Sequence, residues 1–232
     1  MAQRIIGLIG GLSWKSTADY YRLINEGVRG RLGGLHSARC LVWSFDFAEI
    51  ESLQREGRWP EATALMIEAA QRLERGGADL MLICANTMHR MASEVQAAIR
   101  APLLHIADPT AERILAAGLS RVGLIGTAYT MEQDFYRGRL AERYGLQVLI
   151  PSEDDRAEIH RVIFDELVQG RVEAASRAAL QAVIGRLVDR GAQAVILGCT
   201  EFGLLLGPQA CVVPLFDTTV LHAEAAVTLA LA

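Results

Sequence analysis

The amino-acid sequence repeats itself at a nearly constant spacing, and this repeat limits the possible fold more than any other feature. The segment GLIGG begins at Gly7, and GLIGT begins at Gly123, 116 residues later. GADLMLICANT and GAQAVILGCTE begin 114 residues apart, and PLLHIAD and PLFDTTV begin 112 residues apart. Three matches in the same order are difficult to obtain by chance, so the sequence predicts two similar lobes. We expect residues 1–103 with 209–232 to form the first lobe and residues 104–208 to form the second.

Apolar segments of strand length alternate with longer segments of helical period in both halves of the chain. RIIGLIG is typical of a strand, and SWKSTADYYRLINEGVRGRL, which follows it, is typical of a helix. This alternation predicts an α/β fold with mainly parallel sheets, in which ligands bind at the carboxyl ends of the strands. We therefore expect two similar doubly wound parallel-sheet lobes related by a pseudo-twofold axis, with the active site in the cleft between them.

Composition excludes several classes of function. The chain has 232 residues, of which 51% are hydrophobic, and a formal net charge of −4, which attracts neither nucleic acid nor anionic membranes. It contains no apolar stretch of about 18 residues, the length that a membrane-spanning helix needs. The first residues lead into a strand rather than a signal peptide. We expect a cytoplasmic protein that takes a small-molecule substrate and has no nucleic-acid or membrane partner.

The lysine and cysteine content limits the cofactors that the chain can use. Lys15 is the only lysine, so any Schiff-base chemistry, including that of pyridoxal phosphate, would have to use it. The spacing of Cys40, Cys84, Cys199 and Cys211 fits neither a zinc site nor a C-x-x-C redox pair. We therefore expect no metal, and we expect the cysteines to be free thiols.

The second repeated pair indicates where the site lies, because polar residues follow an apolar strand in both copies. The equivalent positions are Ala85 and Cys199, Asn86 and Thr200, and Thr87 and Glu201. Their hydroxyl and amide groups, together with loop N–H groups, are suited to binding a carboxylate. Such residues can also simply end strands and cap helices, which would explain one segment taken alone. Their occurrence in both halves favours a functional site.

Longer motifs run through nearly the whole chain. They include GLIGGLSWKSTADYYRLIN, NTMH at 86–89, YTMEQDFYRGRL, IFDEL, GAQAVILGCTE and FDTTVLHAEAAV. Together they resemble the aspartate/glutamate racemase family of cofactor-independent racemases, and specifically its broad-specificity amino-acid racemase branch. The resemblance implies two lobes of like fold, association as a homodimer, an amino-acid substrate and no cofactor, whether metal, flavin or pyridoxal phosphate.

The chemistry that the resemblance implies is the interconversion of L- and D-amino acids. A thiolate removes the α-proton on one face of the carbon, and a thiol returns a proton on the other face. Cys199 is then one acid/base, and we expect nearby donors to tune its pKa towards neutrality. The substrate-binding candidates are Asn86, Thr87 and Thr200 for the α-carboxylate, Glu201 for the ammonium group or a neighbouring donor, and Leu12, Ser13, Gln54, Thr127 and Thr130 for the rim.

The sequence departs from the family at the first acid/base position. This position ordinarily carries cysteine, or threonine in the broad-specificity branch, but here it is Ala85. A methyl group cannot transfer a proton. Cys84 is adjacent, but successive strand side chains point to opposite faces, so we expect Cys84 to face the core unless the loop bends. His222, early in the last helix, is another residue that could reach the cleft.

Three interpretations remain open. The protein is a racemase whose activity is low, or deliberately removed, because of Ala85, with bound water as a substitute donor. Alternatively, Cys199 alone performs one-sided proton transfer, as in the related arylmalonate decarboxylases, or the cleft binds a small carboxylate metabolite without turnover. We favour the racemase, because the GCTE segment is intact. A substrate with a side-chain carboxylate would need a further cation, which we expect to be an arginine; non-acidic substrates would not.

Overall fold

The computed structural model describes residues 3–207 and 211–232, which divide into two compact units. The first unit comprises the chain up to Ile106 together with His222–Ala232, and the second comprises Ala107–Leu221. Each unit contains one four-stranded parallel sheet flanked by helices. Within the described residues, no helix is both long and apolar enough to cross a membrane.

The sheet of the first unit has the strand order β2-β1-β3-β4, with every neighbouring pair parallel. Its strands are β1 (Ile6–Gly10), β2 (Cys40–Ser44), β3 (Leu80–Ile83) and β4 (Leu103–Leu104). Its helices are α1 (Trp14–Leu32), α2 (Phe47–Arg55), α3 (Trp59–Arg75) and α4 (Ala92–Ala97), and a 3-10 helix spans Thr87–Met91.

The two central strands of this sheet are apolar at every position because helices cover both faces. Every residue of β1 and of β3 is buried. Leu8 and Leu82 pack on one face with Tyr20 of α1. Ile9 and Ile83 pack on the other face. This alternation between two buried faces explains why the segments read as continuous apolar runs.

The sheet of the second unit has the order β6-β5-β7-β8, which is the same arrangement in the same chain order. Its strands are β5 (Arg121–Gly126), β6 (Gln147–Leu149), β7 (Ala194–Gly198) and β8 (Leu215–Asp217). The helices of this part of the chain are α5 (Ala107–Ala116), α6 (Ala128–Glu132), α7 (Asp134–Tyr144), α8 (Glu153–Val162), a π-helix (Ile163–Leu167), α9 (Ala174–Asp189), α10 (Phe202–Leu205) and α11 (Thr218–Leu231).

The repeat extends to details of the backbone. Gly77 and Gly191, which precede the equivalent strands β3 and β7, have φ angles of 97° and 93°, a region that glycine adopts readily. Asp79 and Gln193 lie two residues after these glycines, and each accepts a backbone N–H at the beginning of the neighbouring central strand, from Ile5 and Arg121. The prediction of two similar α/β lobes with parallel sheets is confirmed.

The division of the chain differs from the expected one at its last segment. We expected residues 209–232 to return to the first lobe, but β8 pairs with β7, with Val195 opposite Leu215. Only the chain from His222 onward belongs to the first unit, so the boundary lies inside α11. The reason is the repeat itself, because β8 is the counterpart of β4 and completes its own sheet. The expected boundary at 208–209 lies outside the described residues.

Candidate active site

The carboxyl ends of β5 and β7 are held together by two glycines. Gly126 and Gly198 are partners across the two strands. A Cβ atom on Gly126 would lie 2.8 Å from the carbonyl oxygen of Gly198, and a Cβ on Gly198 would lie 2.9 Å from that of Ile125. Side chains are excluded here, so the first side chains beyond the two strands are those of Thr127 and Cys199.

Cys199 and Thr200 share one acceptor, a carboxylate oxygen of Glu201. The Cys199 thiol donates to Oε2 of Glu201 over 3.2 Å, and the Thr200 hydroxyl donates to the same oxygen over 2.6 Å. The other oxygen, Oε1, is buried and accepts no hydrogen bond from the described residues. Both Cys199 and Glu201 are buried, with 8% and 5% of their surfaces exposed. The arrangement is a thiol held against a buried carboxylate.

The surroundings of Cys199 favour the neutral thiol. Burial raises its pKa well above the usual range, and the carboxylates of Glu201 and Asp217 raise it further, although the backbone N–H of Glu201 acts in the opposite direction. The expectation that nearby donors bring this pKa towards neutrality is therefore wrong. Because the thiol is protonated at rest, it is ready to donate a proton, and it needs an acceptor before it can remove one.

Thr127 and Thr130 lie at the start of α6, next to the same strand ends. Thr127 is the N-cap of α6, and its hydroxyl accepts the backbone N–H of Thr130 over 3.2 Å. The two hydroxyl oxygens are 3.1 Å apart, and both side chains are buried. The N–H of Ala128 donates to Nδ1 of His160 over 3.1 Å. Their observed role is to cap α6; contact with a substrate stays a prediction.

The equivalent strand end in the first unit has no group that can transfer a proton at position 85. Ala85 is half-buried, and Cys84 before it is fully buried in the core beside Tyr20 and Ile24. Burial raises the pKa of the Cys84 thiol. The carbonyl of Cys84 accepts a hydrogen bond from the Ser16 hydroxyl over 3.1 Å, which fixes the backbone at this point. Cys84 therefore points into the core, as the strand alternation predicts.

The remaining candidates of the first unit surround this strand end. Asn86 and Thr87 are buried at the start of the 3-10 helix. Gln54 of α2 is buried, and its side-chain amide donates to the sulfur of Met88 over 3.0 Å. The structure thus brings Gln54 to the segment that carries Asn86 and Thr87. Leu12 and Ser13, both buried, follow β1.

Two buried histidines, His222 and His89, form hydrogen bonds within the first unit. His222 is fully buried; its Nδ1 accepts the Tyr20 hydroxyl over 2.8 Å, and its Nε2 donates to the Leu104 carbonyl over 3.0 Å. Burial lowers the pKa of His222 to about 3, so the ring is neutral. Because both nitrogens are engaged, the structure gives His222 a role in the fold.

His89 is not among the site residues that the sequence predicts, although it contacts the Ala85 segment. Its Nδ1 donates to the Ala85 carbonyl over 2.8 Å, and its Nε2 accepts the N–H of Ile106 over 3.1 Å. The signal in the sequence is the NTMH motif, which places a histidine four residues after Ala85. In the described part of the chain, no three His, Cys, Asp or Glu side chains are arranged to hold a metal ion.

Comparisons with known proteins agree with this architecture. Residues 9–226 match the family described as Asp/Glu/hydantoin racemase. A protein from Yersinia pestis provisionally described as an Asp/Glu racemase is 49% identical, with a TM-score of 0.92 over 99% of this chain and 100% of that one. An aspartate racemase homologue from Pyrococcus horikoshii is 33% identical, with a TM-score of 0.85 over 99% and 100% of the two chains.

A curated relative extends the comparison to a protein with a named activity. The broad-specificity amino-acid racemase RacX of Bacillus subtilis is 24% identical over 98% of this chain and 99% of its own length. The likeness therefore covers both units of the chain.

Proposed function

The chain belongs to the Asp/Glu/hydantoin racemase family, and on that premise we propose that it is a cofactor-independent amino-acid racemase. The observation that carries the proposal is the buried thiol of Cys199 held 3.2 Å from Oε2 of Glu201. A thiol in contact with a buried carboxylate is a pair between which a proton can move in either direction. We include in the proposal a cytoplasmic location, as the sequence predicts, and a homodimer, which rests on the family resemblance alone.

The proposed proton transfer begins from the neutral thiol. The proton of the S–H bond passes to Oε2 of Glu201, which leaves a thiolate on Cys199 and a neutral carboxylic acid on Glu201. The thiolate then removes the α-hydrogen as a proton, and the electron pair of the C–H bond remains on the α-carbon and spreads into the α-carboxylate. In the opposite direction, the resting thiol donates its proton directly to the carbanion.

Donors around the α-carboxylate stabilise the charge that develops there. We assign this role to Asn86, Thr87 and Thr200, which carry amide or hydroxyl groups at the two strand ends. Hydrogen bonds to an anionic oxygen are about twice as strong as those between neutral groups. The α-carboxylate is already anionic in the ground state and gains further negative charge in the enolate-like intermediate, so these donors bind the intermediate more tightly, as catalysis requires.

The second face of the α-carbon has no side-chain donor at position 85. We propose that water supplies the proton there, which makes formation of the other enantiomer slow. Water that gives up this proton leaves hydroxide, which takes the proton held by Glu201 and restores the starting state. Because Ala85 carries no transferable proton, a second candidate is an enzyme that uses Cys199 alone for one-sided proton chemistry, such as a decarboxylase or an isomerase.

Deuterium exchange from solvent tests the proposal. Each enantiomer of aspartate and of glutamate is incubated with the protein in D2O; loss of the α-proton is followed by NMR, and the opposite enantiomer by chiral chromatography. We expect one enantiomer to exchange its α-proton faster than its mirror image accumulates. Complete exchange with no mirror image at all would favour the single-cysteine candidate.

Two further outcomes would contradict the proposal. Absence of exchange with every amino acid tested would indicate a protein that binds without turnover. Equal rates of exchange and racemisation from both enantiomers would show that a second efficient donor exists. The variant Cys84→Ala tests whether Cys84 is that second donor. Because Cys84 lies in the core, we expect the folded variant to exchange at the rate of the unmodified protein.

A further inference from the structure

Lys15 is the only lysine of the chain, and it lies in the first turn of α1 directly after β1. Its side chain is half-buried, and its Nζ is 5.7 Å from the centre of the Trp14 ring. Among the described residues it forms no ion pair. A half-buried ammonium group without a carboxylate partner is available to an anionic ligand.

The first turn of α1 is fixed at the carboxyl ends of both central strands. The Ser16 hydroxyl donates to the carbonyl of Cys84 over 3.1 Å, at the end of β3. The Thr17 hydroxyl accepts the N–H of Gly11 over 2.9 Å, at the end of β1. Lys15 precedes these two anchors in the same turn, so it lies at the edge of the sheet that also carries Ala85.

The nearest acid of α1, Asp19, lies four residues after Lys15 and pairs with Arg22. The first turn of α1 contains no acidic residue, and a lysine there opposes the dipole of the helix. Ser13, the residue before α1, is 4% exposed, and its side chain makes no hydrogen bond to the described residues. The Ser13 hydroxyl and the Lys15 ammonium group, two residues apart in sequence, are two donors that together suit a carboxylate.

The arginines on nearby segments of the first unit are already engaged. Arg55 pairs with Glu51, and Arg58 pairs with Glu56 and Glu61. Arg90 lies over the ring of Trp59, 4.5 Å from its centre. The expected arginine for a substrate side chain is therefore not found among these three.

We propose that Lys15 is a specificity-determining residue that binds the side-chain carboxylate of an acidic amino acid, with the Ser13 hydroxyl as a second donor. The proposal rests on the proposed function for the position of the rest of the substrate. It makes the chain selective for acidic over isosteric amide side chains, because only the carboxylate gains an ion pair with Lys15.

The test compares substrates that differ only in charge. Dissociation constants are measured by calorimetry for aspartate against asparagine and for glutamate against glutamine, and α-proton exchange is followed for the same four compounds. In Lys15→Met we expect the preference for acid over amide to fall by about tenfold to a hundredfold, the usual range for a hydrogen bond to a charged group. Lys15→Arg should keep most of the preference, because it keeps the charge.

Arg75→Gln is the matched control. Arg75 is exposed in the last turn of α3, at the other end of the same unit, so the variant removes one positive charge far from the strand ends. We expect its preference to equal that of the unmodified protein. An equal loss in Arg75→Gln and Lys15→Met would show an effect of net charge and would overturn the proposal.

The outcomes separate this inference from the proposed function. If Lys15→Met turns over aspartate at an unchanged rate, the role of Lys15 is overturned and the proposed racemase function is unaffected. If the unmodified protein binds aspartate selectively, Lys15→Met loses this selectivity and no variant exchanges the α-proton, the role of Lys15 is supported and the racemase function is overturned. A protein that binds amides as tightly as acids, or that binds neither, overturns the role of Lys15 directly.

Discussion

The two units use the same backbone arrangement to present different chemistry. Both have a four-stranded parallel sheet of the same order, and in both a polar segment follows the third strand in chain order. The second unit presents Cys199 and Glu201 at that point, whereas the first presents Ala85 and Thr87 at the equivalent positions. The repeat therefore determines where a reactive group is placed, and the residue at that place determines whether a proton can move.

The groups that support the two strand ends also differ. Behind Ala85 lie imidazole rings: the centre of the His89 ring is 4.6 Å from that of His105 and 5.8 Å from that of His222. Around Cys199 lie the carboxylates of Glu201 and Asp217, which raise the pKa of the thiol. The first strand end is thus backed by imidazole rings, whereas the second has carboxylates beside its thiol.

The largest expected effect comes from removing the reactive group of the second unit. Cys199→Ala deletes the only thiol that contacts Glu201 among the described residues, so α-proton exchange should fall roughly a thousandfold or more. The measurement is NMR-detected exchange in D2O. Cys40→Ala, in the edge strand β2, serves as the control and should exchange normally. If Cys199→Ala still exchanges the α-proton, the second unit would not be the one that carries the proton-transferring group.

Adding a reactive group to the first unit should make the units more alike. In Ala85→Cys we expect racemisation to rise by at least about tenfold, because a positioned side chain replaces water as proton donor. Chiral chromatography of product formation measures this change. Ala85→Thr and Ala85→Val form a matched pair of similar volume, of which only threonine carries a transferable proton. Equal rates in that pair would argue against the role of position 85.

A smaller effect concerns the acid stability of the first unit. The pKa of His222 is lowered from 6.5 to about 3. Between these pH values the unfolded chain binds a proton that the folded chain does not. The free energy of unfolding therefore decreases as the pH falls through this window, by up to about 1.4 kcal/mol per pH unit.

Urea unfolding from neutral pH down to about pH 4 measures this dependence. In His222→Gln the free energy of unfolding should depend less steeply on pH, by the equivalent of one proton. Glutamine can still form hydrogen bonds with Tyr20 and Leu104 but does not titrate. The exposed residue His36 provides the control variant His36→Gln, which should keep the slope of the unmodified protein. An unchanged slope in His222→Gln would show that the acid sensitivity arises elsewhere.

The sequence predicts features that depend on the local residue pattern better than features that depend on contacts between side chains in the folded structure. The GLIG and GA repeats predict both sheets, because buried parallel strands need continuous apolar segments. The local pattern does not predict that the pKa of the Cys199 thiol is raised. Glu201 is visible two residues away, but only the folded turn directs its Oε2 at the sulfur. The sequence singles out Lys15 for its rarity alone, because nothing local reveals that it has no ion-pair partner among the described residues.

The position of Cys84 has a consequence for how this chain could change. The first unit already encodes a cysteine and an alanine side by side, in the order that turns the sulfur towards the core. Exchanging the two residues would leave the composition of the chain unaltered and would give both halves a thiol at the same register position. A single codon, that of residue 85, is enough to place a thiol at both strand ends, because the alternation of the strand directs the side chain of residue 84 to the core around Tyr20 and that of residue 85 to the opposite face.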